Sequence, residues 1–448
     1  EVDLPVFDRA ANPRPLDPPA VNGEIKVASF NVQNYFVTLR STGALTGPNL
    51  DLQPRGAWDQ QELDRQTAKT VNAILAIDAD VYALSELENN GTGPGSAAAA
   101  LVDALNSAAG ETRFASVQLP AGRVSGVSDM GYVDTGDAIS VGIIYQPSSV
   151  RPAPGTQVAV LDDAATEVLP DADMLDFPIF DGFATNRASM AASFEVIATG
   201  EVFTVVANHF KSKGDSDLAD DAVCQTTPSA NANCDQADGQ GYWNARRTDA
   251  AHAVAEWIQR RPTGTADPDV LILGDLNAYA KEDPITALTA ADYTDLFADD
   301  PGAYSFVFNG QWGYLDYALA NAAAIGQVSD AVEWHNNADE PSVLGYSTAF
   351  KSESQIALLF SPEAYRSSDH DPLIVGLTLG DVDTPTPGDL NEDGCVDRTD
   401  FALLLTTIRA GNGDLDLHDL NADGIVSYAD ARAVVLLFDN PRGLACGL

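Results

Sequence analysis

The stretch Val270-Leu271-Ile272-Leu273-Gly274-Asp275-Leu276-Asn277 joins four consecutive apolar residues to an aspartate and an asparagine two positions apart. The apolar run reads as a strand buried on both faces, and Gly274 is expected to end it so that Asp275 and Asn277 emerge at its carboxyl end. A carboxylate and an amide side by side there can hold an attacking water and a phosphate oxygen. Five further polar blocks follow or lie on similar runs: Ser29-Phe30-Asn31, Leu84-Ser85-Glu86, Asn208-His209-Phe210, Leu315-Asp316-Tyr317 and Ser368-Asp369-His370. Carboxylates, amides and two histidines at six strand ends imply one shared pocket suited to hydrolytic chemistry.

The elements that must position these blocks follow an α/β rhythm. Residues 1–22, rich in Pro, Asp and Asn, read as an extended arm. The alternation from Glu24 to Val32 predicts a strand, Trp58 to Ile77 a helix, and Ala79 to Leu84 a strand delivering Glu86 just beyond its end. Ala97 to Ala109 predicts a helix and Ala138 to Tyr145 a strand, preceded by Asp134 and Asp137. Two strands fill 188–208, a long polar loop 211–238, and a helix 241–260; strands resume at 269–274, 315–319 and 372–379. Such a mixture predicts two mixed sheets flanked by helices over residues 23–380.

Composition sets the bounds. At 448 residues, with 45% apolar residues, the chain is long enough for more than one globular domain. No apolar run approaches the roughly 18 residues needed to span a bilayer, so no membrane insertion is expected. The chain begins at Glu1 without a signal-like segment and reads as a processed or truncated form. Lys and Arg number 24 against 66 Asp and Glu, a formal charge of -42, which repels polyanions at long range unless salt or divalent cations intervene. Four cysteines allow three pairings, of which Cys224 with Cys234 and Cys395 with Cys446 is the expected one. Two disulfides imply an oxidising, extracellular compartment and hence a secreted protein.

Residues 381–388 form a Thr-Pro linker, and 389–448 carry an internal repeat. Two twelve-residue loops start at Asp389 and Asp419, 30 residues apart. The first offers Asp389, Asn391, Asp393, the Cys395 carbonyl, Asp397 and Asp400; the second offers Asp419, Asn421, Asp423, the Ile425 carbonyl, Ser427 and Asp430. Gly394 and Gly424 stand at the sharp turn. Hard oxygen ligands at positions 1, 3, 5, 7, 9 and 12 predict two Ca2+ ions. An exit helix follows each loop, at 401–409 and 431–438. This loop-helix repeat resembles a type I dockerin module, EF-hand-like and small. In that family the module docks onto cohesin domains through loop positions 10 and 11, here Arg398-Thr399 and Tyr428-Ala429 rather than paired Ser or Thr. A docking module with a cohesin-like partner and a calcium-stabilised tail both fit.

The six blocks, in order and spacing, resemble the endonuclease/exonuclease/phosphatase superfamily. Asn208-His209-Phe210-Lys211-Ser212-Lys213-Gly214, the cysteine loop and Gly241-Tyr242-Trp243-Asn244-Ala245-Arg246-Arg247 look like its secreted bacterial nuclease branch. The resemblance implies a DNase I-like four-layered sandwich. It also implies Mg2+ or Mn2+ on Glu86 and Asn31 with Asp369 completing the shell, His370 on the scissile phosphate oriented by Asp316, and Asp275 on the attacking water with Asn277 holding the phosphate. His209 becomes the candidate acid for the leaving oxygen, with Asp137 as its orienting carboxylate. Arg187 takes the place of a phosphate-binding arginine, joined by Lys211, Lys213 and Arg246, with Arg247 nearby and Tyr279 lining the pocket. Phosphodiester cleavage calls for these types on its own account: an activated water, neutralised nonbridging oxygens and a stabilised leaving oxygen. His252, His335 and His418 read as structural.

The expected activity is a secreted, divalent-metal-dependent nuclease, monomeric, acting on DNA with little sequence preference because phosphate contacts carry no sequence information, with RNA left open. The alternative is a phosphodiesterase or phosphatase acting on small or lipid phosphoesters. The charge of -42 favours that alternative; the basic residues around the blocks and the expected lack of an exposed aromatic hairpin oppose it. A non-catalytic scaffold built around the calcium repeat is the third class, and the six intact blocks speak against it.

Overall fold

The structure is a computed structural model describing residues 17–119, 136–182, 184–380, 388, 390, 396–410, 418–420 and 424–437. The chain divides into two compact units, Glu1–Leu379 and Gly380–Leu448.

In the large unit the period-two alternation of apolar residues produces two mixed sheets. The strands are β1 (Ile25–Tyr35), β2 (Val81–Glu88), β3 (Ala115–Ser116), β4 (Ile139–Tyr145), β5 (Val150–Pro152), β6 (Ala159–Leu161), β7 (Arg187–Val196) and β8 (Val202–His209). They continue with β9 (Val270–Asp275), β10 (Tyr293–Asp295), β11 (Phe306–Phe308), β12 (Gln311–Gly313), β13 (Asp316–Asn321), β14 (Val328–Glu333) and β15 (Leu373–Leu377). The first sheet runs β14-β15-β1-β2-β4-β3 and the second β10-β13-β9-β8-β7-β5, with β6 on β7. Each is built around one parallel pair with antiparallel strands on either side. β1 and β2 are joined through the helix Gln60–Ile77, and β8 and β9 through the helix Asn244–Gln259.

On β1, Ile25 and Val27 enter one core with Val81, Ala83, Ala207, Leu271 and Leu273, which spans both sheets. Ala28, Phe30 and Val32 point the other way, into a second core with Ile74, Leu101 and Leu105 of the flanking helices. On the outer side of the second sheet, Ala250, Val254 and Trp257 of the helix Asn244–Gln259 join the first core. The layers are therefore helix, sheet, sheet, helix: the DNase I-like α/β sandwich expected.

Local chemistry moves several expected boundaries. Asp59 caps the first helix by accepting from the Glu62 N–H, so it begins at Gln60 rather than Trp58. Trp243, at φ 64°, delays the 241–260 helix to Asn244. Glu86 lies within β2, not beyond it: the β1 and β4 registers both break around it, and its φ of 64° marks a bulge. Gly274 does not end β9. It sits inside the strand at φ +133°, where a Cβ would lie 1.9 Å from the Asn208 carbonyl oxygen of β8. Short strands β5, β6, β10 and β14 were not anticipated, nor was the hairpin β11–β12. Its turn, Asn309-Gly310, has positive φ at both residues, as a two-residue hairpin of this kind demands.

Cys224 and Cys234 form the expected disulfide. Cys395 and Cys446 lie outside the described residues. In the small unit, helices span Arg398–Ala410 and Tyr428–Leu436, each beginning three residues before its expected start. The carboxylate at loop position 12 is the reason, because it closes the first helical turn. Asp430 accepts from the Ser427 N–H, and Asp400 likewise accepts from the Asp397 N–H. Val396, Leu404, Ala431 and Val434 form this unit's own small core.

Candidate active site

The blocks of the large unit converge where the carboxyl ends of both parallel pairs meet. Parallel register sets His209 beside Asp275 and Asn31 beside Ser85, while antiparallel β13 sets Asp316 opposite Asp275. The turn before β15 supplies Asp369 and His370.

Asp275 is the hub. Its Oδ2 lies 3.5 Å from His209 Nε2, 3.8 Å from His370 Nε2 and 3.3 Å from the donating Asn31 Nδ2. Its Oδ1 accepts from the Asn277 N–H at 2.9 Å. Burial, opposed by His370 and reinforced by Asp316 and Glu86, pushes this carboxyl up to about 7. His370 Nδ1 lies 2.7 Å from Asp316 Oδ2, which also accepts from Ser305 Oγ. Burial by itself would lower the His370 pKa, but Asp316, Asp275 and Asp369 outweigh it and hold the value well above that of a free imidazole.

His209 has the opposite character. Burial, with Arg187 and His370 nearby, lowers its pKa well below the ordinary value. Its Nδ1 finds no hydrogen-bond partner among the described residues. The expected orienting bond from Asp137 is not made: the Asp137 carboxylate is held by Arg187 Nε at 3.1 Å and by Arg55 at 2.8 Å. Burial would raise Asp137, yet these two guanidinium groups lower it. Two buried histidines are thus driven apart, one cationic and one neutral.

Glu86 stands on the other side of Asn31. Its Oε2 accepts from the backbone N–H and the amide of Asn34, at 2.8 and 2.7 Å, and its Oε1 from Asn31 Nδ2 at 3.2 Å. Gln33, Asn34 and Glu86 all adopt positive φ, so the backbone is bent around this carboxylate. Burial and the nearby Asp369 raise its pKa. Two carboxylates that repel each other in a half-buried, oxygen-rich corner fit a hard divalent cation, which would relieve that repulsion. Asn31 Oδ1 accepts from the Gln33 N–H, so its amide nitrogen faces the carboxylates in this arrangement. Among the described residues, Asp275, Asp316 and His370 also cluster closely enough to hold an ion. Their mutual hydrogen bond and charge complementarity explain that closeness without one.

The basic residues sort unevenly. Arg187 donates to Asp137 and to the Phe210 carbonyl beside the cleft. Lys211 packs over Trp243, and burial with Arg187 nearby lowers it to about 7. Lys213 is committed to Glu282, at 2.5 and 2.6 Å. Arg246 is buried against Trp243 near Asp176 and Asp249. Arg247 donates to the carbonyls of Lys211, Tyr242 and Gln240. Lys213 is therefore occupied by the protein itself and Arg246 packs on Trp243, its Nε without a hydrogen-bond partner among the described residues, whereas Arg187 and Lys211 border His209. Asn277 donates to the Phe210 carbonyl, and Tyr279 packs on Gly313 of the hairpin.

Three contributors escaped the sequence reading. Arg55 reaches Asp137 from a loop, Ser305 locks Asp316, and the β11–β12 hairpin lays Phe306 over His370 with ring centres 4.5 Å apart. The hairpin also overturns an expectation, because Phe308 and Trp312 on it are exposed. The Asn-Gly turn was the signal for it. In the tail, Asp397, Asp400, Asp419, Ser427 and Asp430 are described, and Asp419 Oδ2 accepts from the Gly424 N–H. Asp389, Asn391, Asp393, Cys395, Asn421 and Asp423 lie outside the described residues.

The large unit is thus a two-sheet α/β sandwich whose strand ends gather acids, amides and histidines at one site. In the tail, residues 387–435 match the dockerin type I domain. Similar solved structures include an endonuclease/exonuclease/phosphatase from Bacteroides vulgatus (14% identity, TM-score 0.42, covering 80% of this chain and 99% of that one). They also include the human Nocturnin catalytic domain with bound sulfate (14%, 0.43, 78% and 93%) and the mannosyl-6-phosphatase of Bacteroides thetaiotaomicron (14%, 0.44, 80% and 100%). No curated protein sequence matches the chain. No described helix is long and apolar enough to cross a membrane.

Proposed function

We propose that this protein is a secreted, divalent-metal-dependent phosphodiester hydrolase that cuts extracellular DNA with little sequence preference. The observation that carries the reading is the Asp275 carboxylate set between His209, His370 and Asn31 at 3.5, 3.8 and 3.3 Å. Glu86 and Asp369 would hold Mg2+ or Mn2+, which when bound neutralises charge on the phosphate and leaving oxygen, and Asn31 would join them once its amide turns from the Gln33 N–H to present Oδ1. Asp275 orients the attacking water and takes its proton at Oδ2, a role suited to a carboxyl raised toward neutrality. His370, kept cationic by Asp316, neutralises a nonbridging oxygen. Asn277 completes the phosphate cradle. His209, its pKa lowered by burial, is the candidate acid for the leaving oxygen and reaches it by donating a hydrogen bond. Arg187 and Lys211 supply positive charge beside the cleft.

The dockerin segment supports calcium binding in the tail and, as in that family, docking onto a cohesin-like partner. The Cys224–Cys234 disulfide and the dockerin match in the tail both favour an extracellular setting.

The test is nicking of a closed circular plasmid, beside hydrolysis of bis-p-nitrophenyl phosphate, with Mg2+, Mn2+ or EDTA over a salt series. Metal-dependent nicking that weakens with salt is expected. Hydrolysis of the small ester with an untouched plasmid would move the substrate to the second reading, small or lipid phosphoesters. The exposed aromatic hairpin and the charge of -42 favour that second reading.

A further inference from the structure

The hairpin β11–β12 touches the catalytic centre, and the mechanism above leaves it without a role. Phe306 stacks on His370 with 30° between the ring planes, and its backbone pairs with that of His370. Phe308, two residues on and on the same face, continues the stack at 6.4 Å with 12° between planes and is 60% exposed. On the opposite face Trp312, 72% exposed, meets Tyr304 edge-on at 5.2 Å. From Gly302 to Leu315 there is no charged side chain, in a chain of net charge -42. Flat rings thus lead out of the site along a segment that itself carries no charge, with Asp339, Asp371 and Glu333 near Tyr304 at its base.

Large apolar side chains held in water beside an active site mark a surface that something covers. The occupant must be flat, must adjoin the scissile phosphate, and must tolerate a neutral surface. A nucleobase meets all three conditions, and every base presents a π-face whatever its identity. Only an unpaired base has such a face free, because a duplex hides both faces in its own stack. The tip of the hairpin, Asn309-Gly310-Gln311, is polar. Its amides can bond base edges but would be costly to bury in lipid without partners.

We propose that the β11–β12 hairpin is a stacking platform for an unpaired nucleotide next to the scissile phosphate, so that the enzyme prefers single-stranded or frayed DNA. This rests on the nuclease reading above. The experiment compares kcat/KM on a thymidine strand of about twelve nucleotides with that on a base-free strand of the same backbone, one stacked base being worth about 5- to 150-fold. The parent should favour the thymidine strand by that factor. Phe308→Ala should bring the ratio to near one, Phe308→Trp should restore it, and unchanged circular dichroism should certify the fold of each. Equal cleavage of both strands by the parent would overturn the platform while leaving the nuclease standing. Failure to cut either strand or plasmid with any metal would instead sink the nuclease reading. Variants that keep the strand ratio but lose sedimentation with phosphatidylcholine-sphingomyelin vesicles would make the hairpin a lipid contact and refute the proposal.

Discussion

Gly274→Ala tests the central geometry most directly. A Cβ at this position would lie 1.9 Å from the Asn208 carbonyl oxygen and 2.8 Å from its carbonyl carbon. Carbon and oxygen normally approach no closer than roughly 3.3 Å, so relieving the contact moves β8 and β9 apart by roughly 1.4 Å. The φ of +133° adds strain of about 1–3 kcal/mol for an L-residue, and forcing the strands apart adds a similar about 1–3 kcal/mol. The expected loss of stability is therefore roughly 2–6 kcal/mol. The same displacement separates His209 from Asp275, and a misplacement of about 1 Å at a catalytic group lowers turnover by about 10²-fold. All five tryptophans lie before residue 380, so their fluorescence in a urea titration reports on the large unit alone. Bis-p-nitrophenyl phosphate hydrolysis reads the site. A variant within about 1 kcal/mol of the parent and with turnover within threefold would refute the close approach of β8 and β9 as the reason for this glycine.

Other outcomes follow from the same contacts. His370→Ala should lower turnover at least about a hundredfold with the fold intact by circular dichroism, and a fall below tenfold would remove His370 from the mechanism. Lys211 has its pKa lowered to about 7 by burial, against 10.5 for a free lysine. The unfolded chain therefore binds more protons between those values, and the penalty of burying this lysine is full below about 7 and absent above 10.5. Lys211→Met should consequently raise the melting temperature more at pH 6.5 than at pH 10, and an equal gain at both would contradict the burial argument. Deleting residues 381–448 should leave metal-dependent hydrolysis within about twofold of the parent, since the two units are separately compact.

What was legible in the sequence was mostly what local pattern controls. The apolar run 270–273 became β9, the helical spacing of apolar residues over 58–77 became the first long helix, and Cys224 paired with Cys234 across one loop. The two histidines, four carboxylates and two amides of the proposed centre were read from their positions at strand ends. The misreadings share a cause, which is dependence on residues distant in the chain. Gly274 looked like a strand terminator because its true constraint, the Asn208 carbonyl, is 66 residues away. Lys213 looked available to substrate because Glu282 is remote in sequence, and Asp137 was given to His209 because Arg55 and Arg187 could not be seen to claim it. Glu86 was placed past its strand since a bulge leaves no mark in a period-two pattern. The hairpin is different: Asn309-Gly310 between aromatics is a local signal, passed over because its strands are only three residues long.

The two sheets repeat one device, a parallel pair joined by a helix, and each hangs half of the site from its own edge. Asn31, Glu86 and the Asp369-His370 turn belong to the first; His209, Asp275, Asn277 and Asp316 belong to the second. The proposed centre is thus a joint between two blocks, closed by the His370 to Asp316 bond at 2.7 Å. A joint can be tuned from either side. Substitutions in the first block should shift metal preference and those in the second the pH profile, as two separable dials. Alignment of the blocks is set by the interlayer packing of Val27, Ala83, Ala207 and Leu273. A methyl group removed from that layer would act as a hinge pin worn loose, felt at the phosphate before it is felt in the fold.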